Sequence, residues 1–320
     1  MMLKFIDIPT NIPLCNYDAL KSKLTKLLLS HDAVLSVYQM GSVKHPGISD
    51  LDIICVFKNG STCDKNFRSE LNEEEKQILT HGIFGVEEKD VIRGFSYNLI
   101  SNLKYLGGED LKLEEKPIVT EETIKTQIAL EYLIKMLITI DAQVTLKIIK
   151  LRAFLLLAKA IIFDLELLGV NKGKLYDLVQ NVILYRSQWF TDKPNYEEVT
   201  KLILSFNLEL RNFLKTTLIE HKLYLPSNEL KLPGNFMIKR STELAINHKG
   251  FILPKSLSFL GRKYISVQHR LNSFTYHIPF EIPDKKSEHF KRFEFSKGMA
   301  NINRQKYPHF IPLTTSLSIY

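Results

Sequence analysis

The sequence predicts an α+β protein: a small mixed sheet flanked by helices, then a helical domain, then a basic mixed α/β tail. Three observations predict this class. Short β-branched runs alternate with helical patterns over the first 115 residues, and a nearly proline-free helical pattern runs from 121 to about 220. Seven of the twelve prolines follow position 225, among short alternating runs. The predicted domains are therefore 1–115, 120–225 and 226–320.

The composition is that of a folded protein that can bury hydrophobic cores without disulfides or metals. It has 320 residues, of which 45% are hydrophobic and 24% charged, unlike a disordered protein. Its three cysteines (Cys15, Cys55 and Cys63) form no CxxC pair, which argues against a disulfide scaffold or a zinc ribbon. No run of about 18 apolar residues and no signal-peptide pattern occur, so we expect no membrane segment and a cytoplasmic location.

The first domain alternates between helical and strand patterns. An amphipathic repeat with Asn16 at its start predicts the first helix, and Asn72 with Glu75 has the spacing of a capping box at the start of the second. Alternating or β-branched runs bounded by turn residues predict strands. The predicted helices span 17–29 and 70–79, and the predicted strands span 34–40, 50–57 and 82–88.

The positive charge is concentrated at the end of the chain. Residues 226–320 hold 15 Lys or Arg against 6 Asp or Glu, whereas residues 1–225 hold 28 against 29. Basic and aromatic residues interleave in GRKYISVQHRLNSF (261–274) and EHFKRFEF (288–295), and KYISVQHRL and FTYHIPFEI predict strands. This composition indicates an anionic partner such as a nucleic acid, a basic surface without a partner, or docking on another macromolecule.

The stretch VYQMGSVKHPGISDLDIICVF (37–57) carries the most specific chemistry. Gly41 and Ser42 end one predicted strand, and Asp50 and Asp52 open the next. Since side chains alternate along a strand, both carboxylates point to one side, about 7 Å apart. Such a pair raises its own pKa values unless a cation lies between them, and Mg²⁺ prefers oxygen ligands shared with phosphates. Gly41 permits close approach of a phosphate, and Ser42 offers a hydroxyl and an N–H.

This pattern resembles the signature of the DNA polymerase β-type nucleotidyltransferase superfamily, where Gly-Ser and then Asp-x-Asp lie between two strands. Gly41, Ser42, Asp50 and Asp52 match it, and Ser49 is also common there. The likeness covers residues 30–60 directly and 1–115 by the order of elements. It implies nucleotide binding by Gly41, Ser42 and Ser49, and two Mg²⁺ ions held by Asp50 and Asp52 that bridge NTP phosphates. The resemblance also implies in-line phosphoryl transfer between the two metal ions.

The resemblance also implies a third carboxylate on a later strand. Glu87, Glu88 and Asp90 end the predicted strand 82–88, and we expect Glu87 to be catalytic because it shares a face with His81 and small Gly85. Glu109 and Asp110, in GGED, resemble a linker feature of antibiotic nucleotidyltransferases. His81 is either a metal ligand or, as we expect, an ordinary hydrogen-bonded histidine.

The predicted function is a Mg²⁺-dependent transfer of NMP from an NTP to a hydroxyl of an acceptor that is a small molecule, a protein or a nucleic acid. One alternative is an enzyme that extends RNA or DNA and holds the strand on its basic tail. Another is a catalytically silent nucleotidyltransferase-like protein that binds or regulates. A third catalytic acid would distinguish the two enzymes from the catalytically silent protein. Salt-dependent binding of a polynucleotide would distinguish the enzyme that extends RNA or DNA from the other transferase.

Overall fold

A computed structural model of the chain describes residues 3–115, 120–192, 194–254, 257 and 262–317. Within these residues the helices are α1 (Leu14–Leu29), α2 (Glu73–Ile78), α3 (Val91–Asn98), α4 (Glu122–Thr145), α5 (Leu151–Leu167), α6 (Lys174–Gln188), α7 (Tyr196–Glu220), α8 (Arg262–Leu271) and α9 (Glu288–Lys306). The strands are β1 (Lys4–Ile6), β2 (Val34–Met40), β3 (Asp52–Phe57), β4 (Ile83–Glu87), β5 (Leu103–Gly108), β6 (Ile148–Lys150), β7 (Glu229–Leu232), β8 (Phe236–Arg240), β9 (Ala245–Gly250), β10 (Asn272–Ile278) and β11 (Phe310–Pro312). The fold is a mixture of helix and strand, as predicted.

The chain forms two compact units, and each is discontinuous in sequence. The head unit comprises Pro9–Ile128 and Lys291–Ile319, and the helical unit comprises Met1–Ile8 and Ala129–Phe290 with Tyr320. This division differs from the predicted domains 1–115, 120–225 and 226–320. The main difference is that about thirty residues of the predicted tail, Lys291–Ile319, belong to the head unit. No feature of the sequence indicates that the chain returns to the head after residue 290.

The head unit is built on a five-stranded sheet in the order β11-β4-β3-β2-β5. β3 runs antiparallel to β2 and parallel to β4, and β11 adds in parallel to the far side of β4. The sheet is therefore mixed, as predicted. Strand β2 has the predicted bounds 34–40, and β3 and β4 begin or end one or two residues inside the predicted ranges 50–57 and 82–88. The capping box of Asn72 and Glu75 is present at the start of α2.

Two hydrophobic cores cover the two faces of this sheet. The first contains Leu20, Leu24 and Leu28 of α1 with Ile53 and Phe57 of β3. The second contains, on the other face, Tyr38, Ile54, Val56, Phe95 and Met299. Because side chains alternate along β3, Asp52 lies on the same face as Ile54 and so belongs to the second face.

Helices α8 and α9 show where two basic segments of the predicted tail lie in the structure. In EHFKRFEF, Phe293 is fully buried and Phe290 and Phe295 are half-buried. Buried Arg292 donates through Nε to the Tyr97 carbonyl at 2.8 Å. Further along, Tyr307 stacks on Phe57 with ring centroids 3.9 Å apart. The run KYISVQHRL, predicted as a strand, lies in helix α8.

The helical unit joins α5–α7 and most of α4 to a four-stranded sheet in the order β7-β8-β10-β9. Asp141 of α4 is buried and pairs with Arg211 of α7. The Tyr276 hydroxyl of β10 donates to the Ile138 carbonyl at 3.2 Å and lies 3.3 Å from Asp141 Oδ2. These polar contacts fix one face of the sheet against the helices. No helix within the described ranges is both long and apolar enough to cross a membrane.

Candidate metal centre

The loop between β2 and β3 begins with a glycine in a left-handed conformation. Gly41 has φ +68°, a region that costs a residue with a Cβ atom conformational energy. Its N–H donates to the Asn102 carbonyl at 2.9 Å, and its own carbonyl accepts from Gln39 Nε2 at 3.2 Å. The next residue, Ser42, is exposed. The backbone therefore turns sharply out of the sheet and presents Ser42 to solvent.

Tyr17 of α1 fixes the far end of this loop. Its hydroxyl donates to the Ser49 carbonyl at 2.7 Å and accepts from the Gly47 N–H at 2.9 Å. Ser49 is buried, its N–H donates to the His45 carbonyl at 2.7 Å, and its Oγ accepts from the His45 N–H at 3.2 Å. Ser49, predicted to bind nucleotide, thus has its hydroxyl turned into the loop and holds the loop's shape.

Asp50 and Asp52 lie side by side at the start of β3, as the alternation of side chains predicts, and His81 joins them. His81 Nε2 is 2.6 Å from Asp52 Oδ1 and 3.6 Å from Asp50 Oδ2. One donor atom from each of the three residues lies within 4.8 Å of the other two. Thr80 Oγ1 also donates to Asp50 Oδ2 at 3.0 Å. The structure therefore brings both predicted metal ligands to one point.

The electrostatics of the cluster are those of two crowded carboxylates. Burial raises the pKa of Asp50, the charge of Asp52 raises it further, and His81 and Thr80 oppose this only in part. Burial would lower the pKa of His81, but its hydrogen bond and charge interaction with Asp52 raise that pKa overall. The site thus favours a positive charge next to the carboxylates, either a proton on His81 or a bound cation.

The donor set fits a divalent cation. Two carboxylates supply oxygen atoms, and the ring of His81 is oriented by its other nitrogen, since Nδ1 lies 2.8 Å from the Gly82 carbonyl. A carbonyl can only accept, so Nδ1 carries the hydrogen and Nε2 faces the aspartates. The side chains are 13% (Asp50), 26% (Asp52) and 32% (His81) exposed, so a substrate can reach a cation held there.

Glu87 is not part of this cluster. It pairs with Phe57 in the register of β3 and β4, five positions beyond Asp52 along the sheet, or about 16 Å at the rise of a strand. It also lies on the first face of the sheet with Phe57, whereas Asp52 lies on the second. The expectation that Glu87 and His81 share a face fails because the alternation of β4 does not extend through Gly82 to His81.

The carboxylate of Glu87 is instead held by partners from the end of the chain. Oε1 accepts from Lys306 Nζ at 2.8 Å and lies 3.3 Å from the Tyr307 hydroxyl, and Oε2 lies 2.6 Å from Lys89 Nζ. Burial would raise the pKa of Glu87, but the bonds to Lys306 and Lys89 lower it overall. Glu87 is therefore a buried, ionised anchor between β4 and α9.

The space beside Gly85 is filled by side chains of β3 and β11. A Cβ atom at Gly85 would lie 2.8 Å from Phe310 Cβ and 2.9 Å from Phe57 Cε2. Gly85 is thus required for close packing of β11 on the sheet. The other acids considered at the sequence level also lie outside the cluster: Glu88 accepts from Asn59 at 3.1 Å, and Asp110 pairs with Lys112 at 2.6 Å.

Sequence reasoning undervalued His81 and missed Thr80. The available signal was their position directly before the predicted strand 82–88, which is the next predicted strand along the chain after that of Asp52. In parallel strands, the residues that enter one strand lie beside those that enter the next. Among the residues that the structure describes, one group of three possible metal ligands has its donor atoms within 4.8 Å of one another: Asp50, Asp52 and His81.

Comparisons of the chain with models of known protein families, with curated proteins and with solved structures found no match. The functional assignment therefore depends on the residues of the site and their geometry.

Proposed function

We propose that the head unit is a divalent-metal-dependent nucleotidyltransferase that moves an NMP from an NTP to a hydroxyl of an acceptor. The observation that carries this proposal is the convergence of Asp50, Asp52 and His81 at the start of β3. This cluster directly follows the loop that begins with Gly41 and Ser42, as in the sequence pattern of the nucleotidyltransferase superfamily.

Each residue has a role that follows from its position. Asp50 and Asp52 would hold the cation, which when bound offsets negative charge on the phosphates. Gly41 and exposed Ser42 would contact the phosphates through the backbone and the hydroxyl. The acceptor oxygen forms a bond to the α-phosphorus, the bond from that phosphorus to the bridging oxygen breaks, and pyrophosphate leaves. The proton of the hydroxyl passes to solvent, because Glu87 lies too far along the sheet to accept it.

The test is transfer of label from each α-labelled NTP by the full chain, with Mg²⁺ or Mn²⁺ and a mixture of hydroxyl acceptors. Asp52→Asn should lower the rate by about 100-fold or more, since it removes a ligand charge. The fold should persist because the change also relieves carboxylate repulsion. Asp110→Asn, an exposed aspartate of the same unit, is the matched control. Wild-type turnover in Asp52→Asn would refute the assignment.

A second candidate is a head that binds metal and nucleotide without turnover. It is favoured by one observation: in the described part of the chain no third carboxylate joins Asp50 and Asp52 in their cluster. Binding of Mg-NTP that depends on Asp52, with no transfer of any of the four labelled nucleotides, would support this candidate over the first.

We also propose that an anionic partner binds the helical unit rather than the whole predicted tail. One face of the sheet β7-β8-β10-β9, here called the lysine face, presents Lys231, Lys239, Lys249 and Thr275 around a groove of about 590 Å³. The opposite face is buried. Lys239 is paired with Glu229 at 2.7 Å, so among the residues that the structure describes Lys231 and Lys249 carry most of the uncompensated charge of this face. A polynucleotide backbone is the partner that this charge fits.

A further inference from the structure

The orientation of His81 gives it a defined ligand atom. Its Nδ1 is occupied by the Gly82 carbonyl at 2.8 Å, and its Nε2 points between the carboxylates of Asp50 and Asp52. A backbone carbonyl on one ring nitrogen is the usual arrangement behind a metal-ligating histidine, because it fixes both the tautomer and the ring plane.

The separations of the donor atoms fit one coordination sphere. Adjacent ligands of an octahedral cation with bonds of about 2.1 Å lie about 3 Å apart. Nε2 of His81 lies 2.6 Å from Asp52 Oδ1 and 3.6 Å from Asp50 Oδ2, which brackets that value. The donor oxygens of Asp50 and Asp52 also lie within 4.8 Å of each other, so all three donor atoms are close enough to face one cation. The partly exposed side of the cluster leaves room for phosphate oxygens.

The nitrogen donor affects which cation is bound. Mg²⁺ takes oxygen ligands almost exclusively and gives up its water reluctantly, whereas imidazole binds well to divalent first-row transition metals. An all-carboxylate site has no such bias. The third position at this site is a histidine, so the site gains affinity for a transition metal that it does not gain for Mg²⁺.

We propose that His81 is a direct metal ligand in place of a third carboxylate, and that it makes the site select a divalent transition metal over Mg²⁺. This inference rests on the proposed function only for the placement of the cation at Asp50 and Asp52. It does not depend on whether a nucleotide is transferred.

The test uses the metal-stripped full chain loaded with Mn²⁺ alone and with Mn²⁺ plus inorganic pyrophosphate. Electron spin-echo spectroscopy should show coupling of Mn²⁺ to one directly bound ¹⁴N. Growth with ¹⁵N-histidine should convert that coupling to ¹⁵N in the unmutated protein, which makes the result independent of whether any variant folds. Absence of bound Mn²⁺, or of histidine nitrogen coupling, overturns the proposal.

Variants at position 81 test the selectivity. His81→Gln should lose the nitrogen coupling and weaken Mn²⁺ binding by about tenfold or more, with a smaller change for Mg²⁺. His81→Asp should restore binding without nitrogen coupling and shift the Mn²⁺-to-Mg²⁺ affinity ratio toward Mg²⁺. His309→Gln, an exposed histidine of the same unit, should behave as wild type. An unchanged affinity ratio in both position-81 variants overturns the selectivity.

The two proposals fail in different ways. Transfer activity without histidine nitrogen coupling would leave the nucleotidyltransferase in place and remove His81 from the metal. Nitrogen coupling without any transfer would keep His81 as a ligand and leave a binding module.

Discussion

At the scale of single residues, Asp50 and Glu87 lie in opposite electrostatic environments. Asp50 is crowded by Asp52, and burial together with that charge raises its pKa, so in the absence of a cation the pair opposes folding. Burial would raise the pKa of Glu87, but its hydrogen bonds and charge interactions with Lys306 and Lys89 lower it overall and favour the ionised form. The Tyr307 hydroxyl also donates to this carboxylate. The first environment suits a ligand site, and the second stabilises the fold.

Glu87→Gln should therefore destabilise the head unit without changing its metal site. We expect a loss of about 1–3 kcal/mol in the free energy of unfolding at pH 7, the usual penalty for a buried partner left unpaired. Urea unfolding measures the loss, and Mn²⁺ affinity should be unchanged. Glu88→Gln is the control because Glu88 makes one exposed hydrogen bond. If Glu87→Gln instead lost metal binding and kept the wild-type free energy of unfolding, Glu87 would belong to the metal site.

The pH dependence of this effect has a definite sign. The folded-state pKa of Glu87 lies below its unfolded value, so its stabilisation is present above the unfolded pKa of about 4.3. It is lost as pH falls through the folded pKa. The difference in the free energy of unfolding between wild type and Glu87→Gln should be largest near neutral pH. It should shrink as the pH falls through the folded pKa, as urea unfolding at neutral pH and at a series of acidic pH values would show.

At the scale of elements, strand register decides which side chains meet. The β3–β4 register pairs Phe57 with Glu87 and places the start of β4 beside the start of β3, so His81 reaches Asp52 and Glu87 does not. The loop before β3 depends on α1 in the same way, since Tyr17 bonds to both Gly47 and Ser49. The site is thus a product of three elements.

The lysine face yields a prediction at this scale. Replacing Lys231 and Lys249 with Ala should weaken binding of a short single-stranded RNA and lower the slope of log affinity against log salt by about 1.4, since each phosphate contact on a single strand contributes about 0.7. Fluorescence anisotropy over a salt series measures both. Lys172 and Lys215, exposed elsewhere in the helical unit, give the matched double variant. Equal slopes for the two double variants would exclude the face as the binding surface.

At the scale of the whole molecule, the head unit is completed by the end of the chain. β11 pairs with β4, and Tyr307 and Phe310 pack on Phe57 with ring centroids 3.9 and 4.9 Å apart. Met299 and Leu313 fill the second core. One short segment therefore contributes to the cores on both faces of the sheet that carries Asp52.

A chain that ends at residue 290 should consequently lose the head unit. The five buried side chains Phe293, Met299, Tyr307, Phe310 and Leu313 contribute about 1.5–3 kcal/mol each, which together equals the stability of a typical domain. We expect loss of Mn²⁺ binding and of the cooperative unfolding transition of the head unit. Adding a peptide of residues 291–319 should restore part of both. Retention of metal binding by the truncated chain alone would support a domain boundary near 226 instead.

The sequence by itself determined the local features of this protein. The alternation of DLDIICVF predicts that Asp50 and Asp52 point to one side, and both carboxylates approach His81. The spacing of Asn72 and Glu75 predicts the cap of α2, and the apolar run 34–40 predicts the bounds of β2. Each of these depends on residues a few positions apart, where backbone geometry links sequence to space directly.

Only the tertiary structure decided the long-range partners. The register of β3 and β4 brought His81, and not Glu87, to Asp52, and Tyr307 and Phe310 from the end of the chain pack on Phe57 in the head unit. His81 lies 29 positions from Asp52 along the chain, and Tyr307 lies 250 positions from Phe57. No periodic pattern in the sequence records contacts over such separations. Their free energy comes from burial of apolar surface, which depends on shape and on the whole set of neighbours rather than on order along the chain.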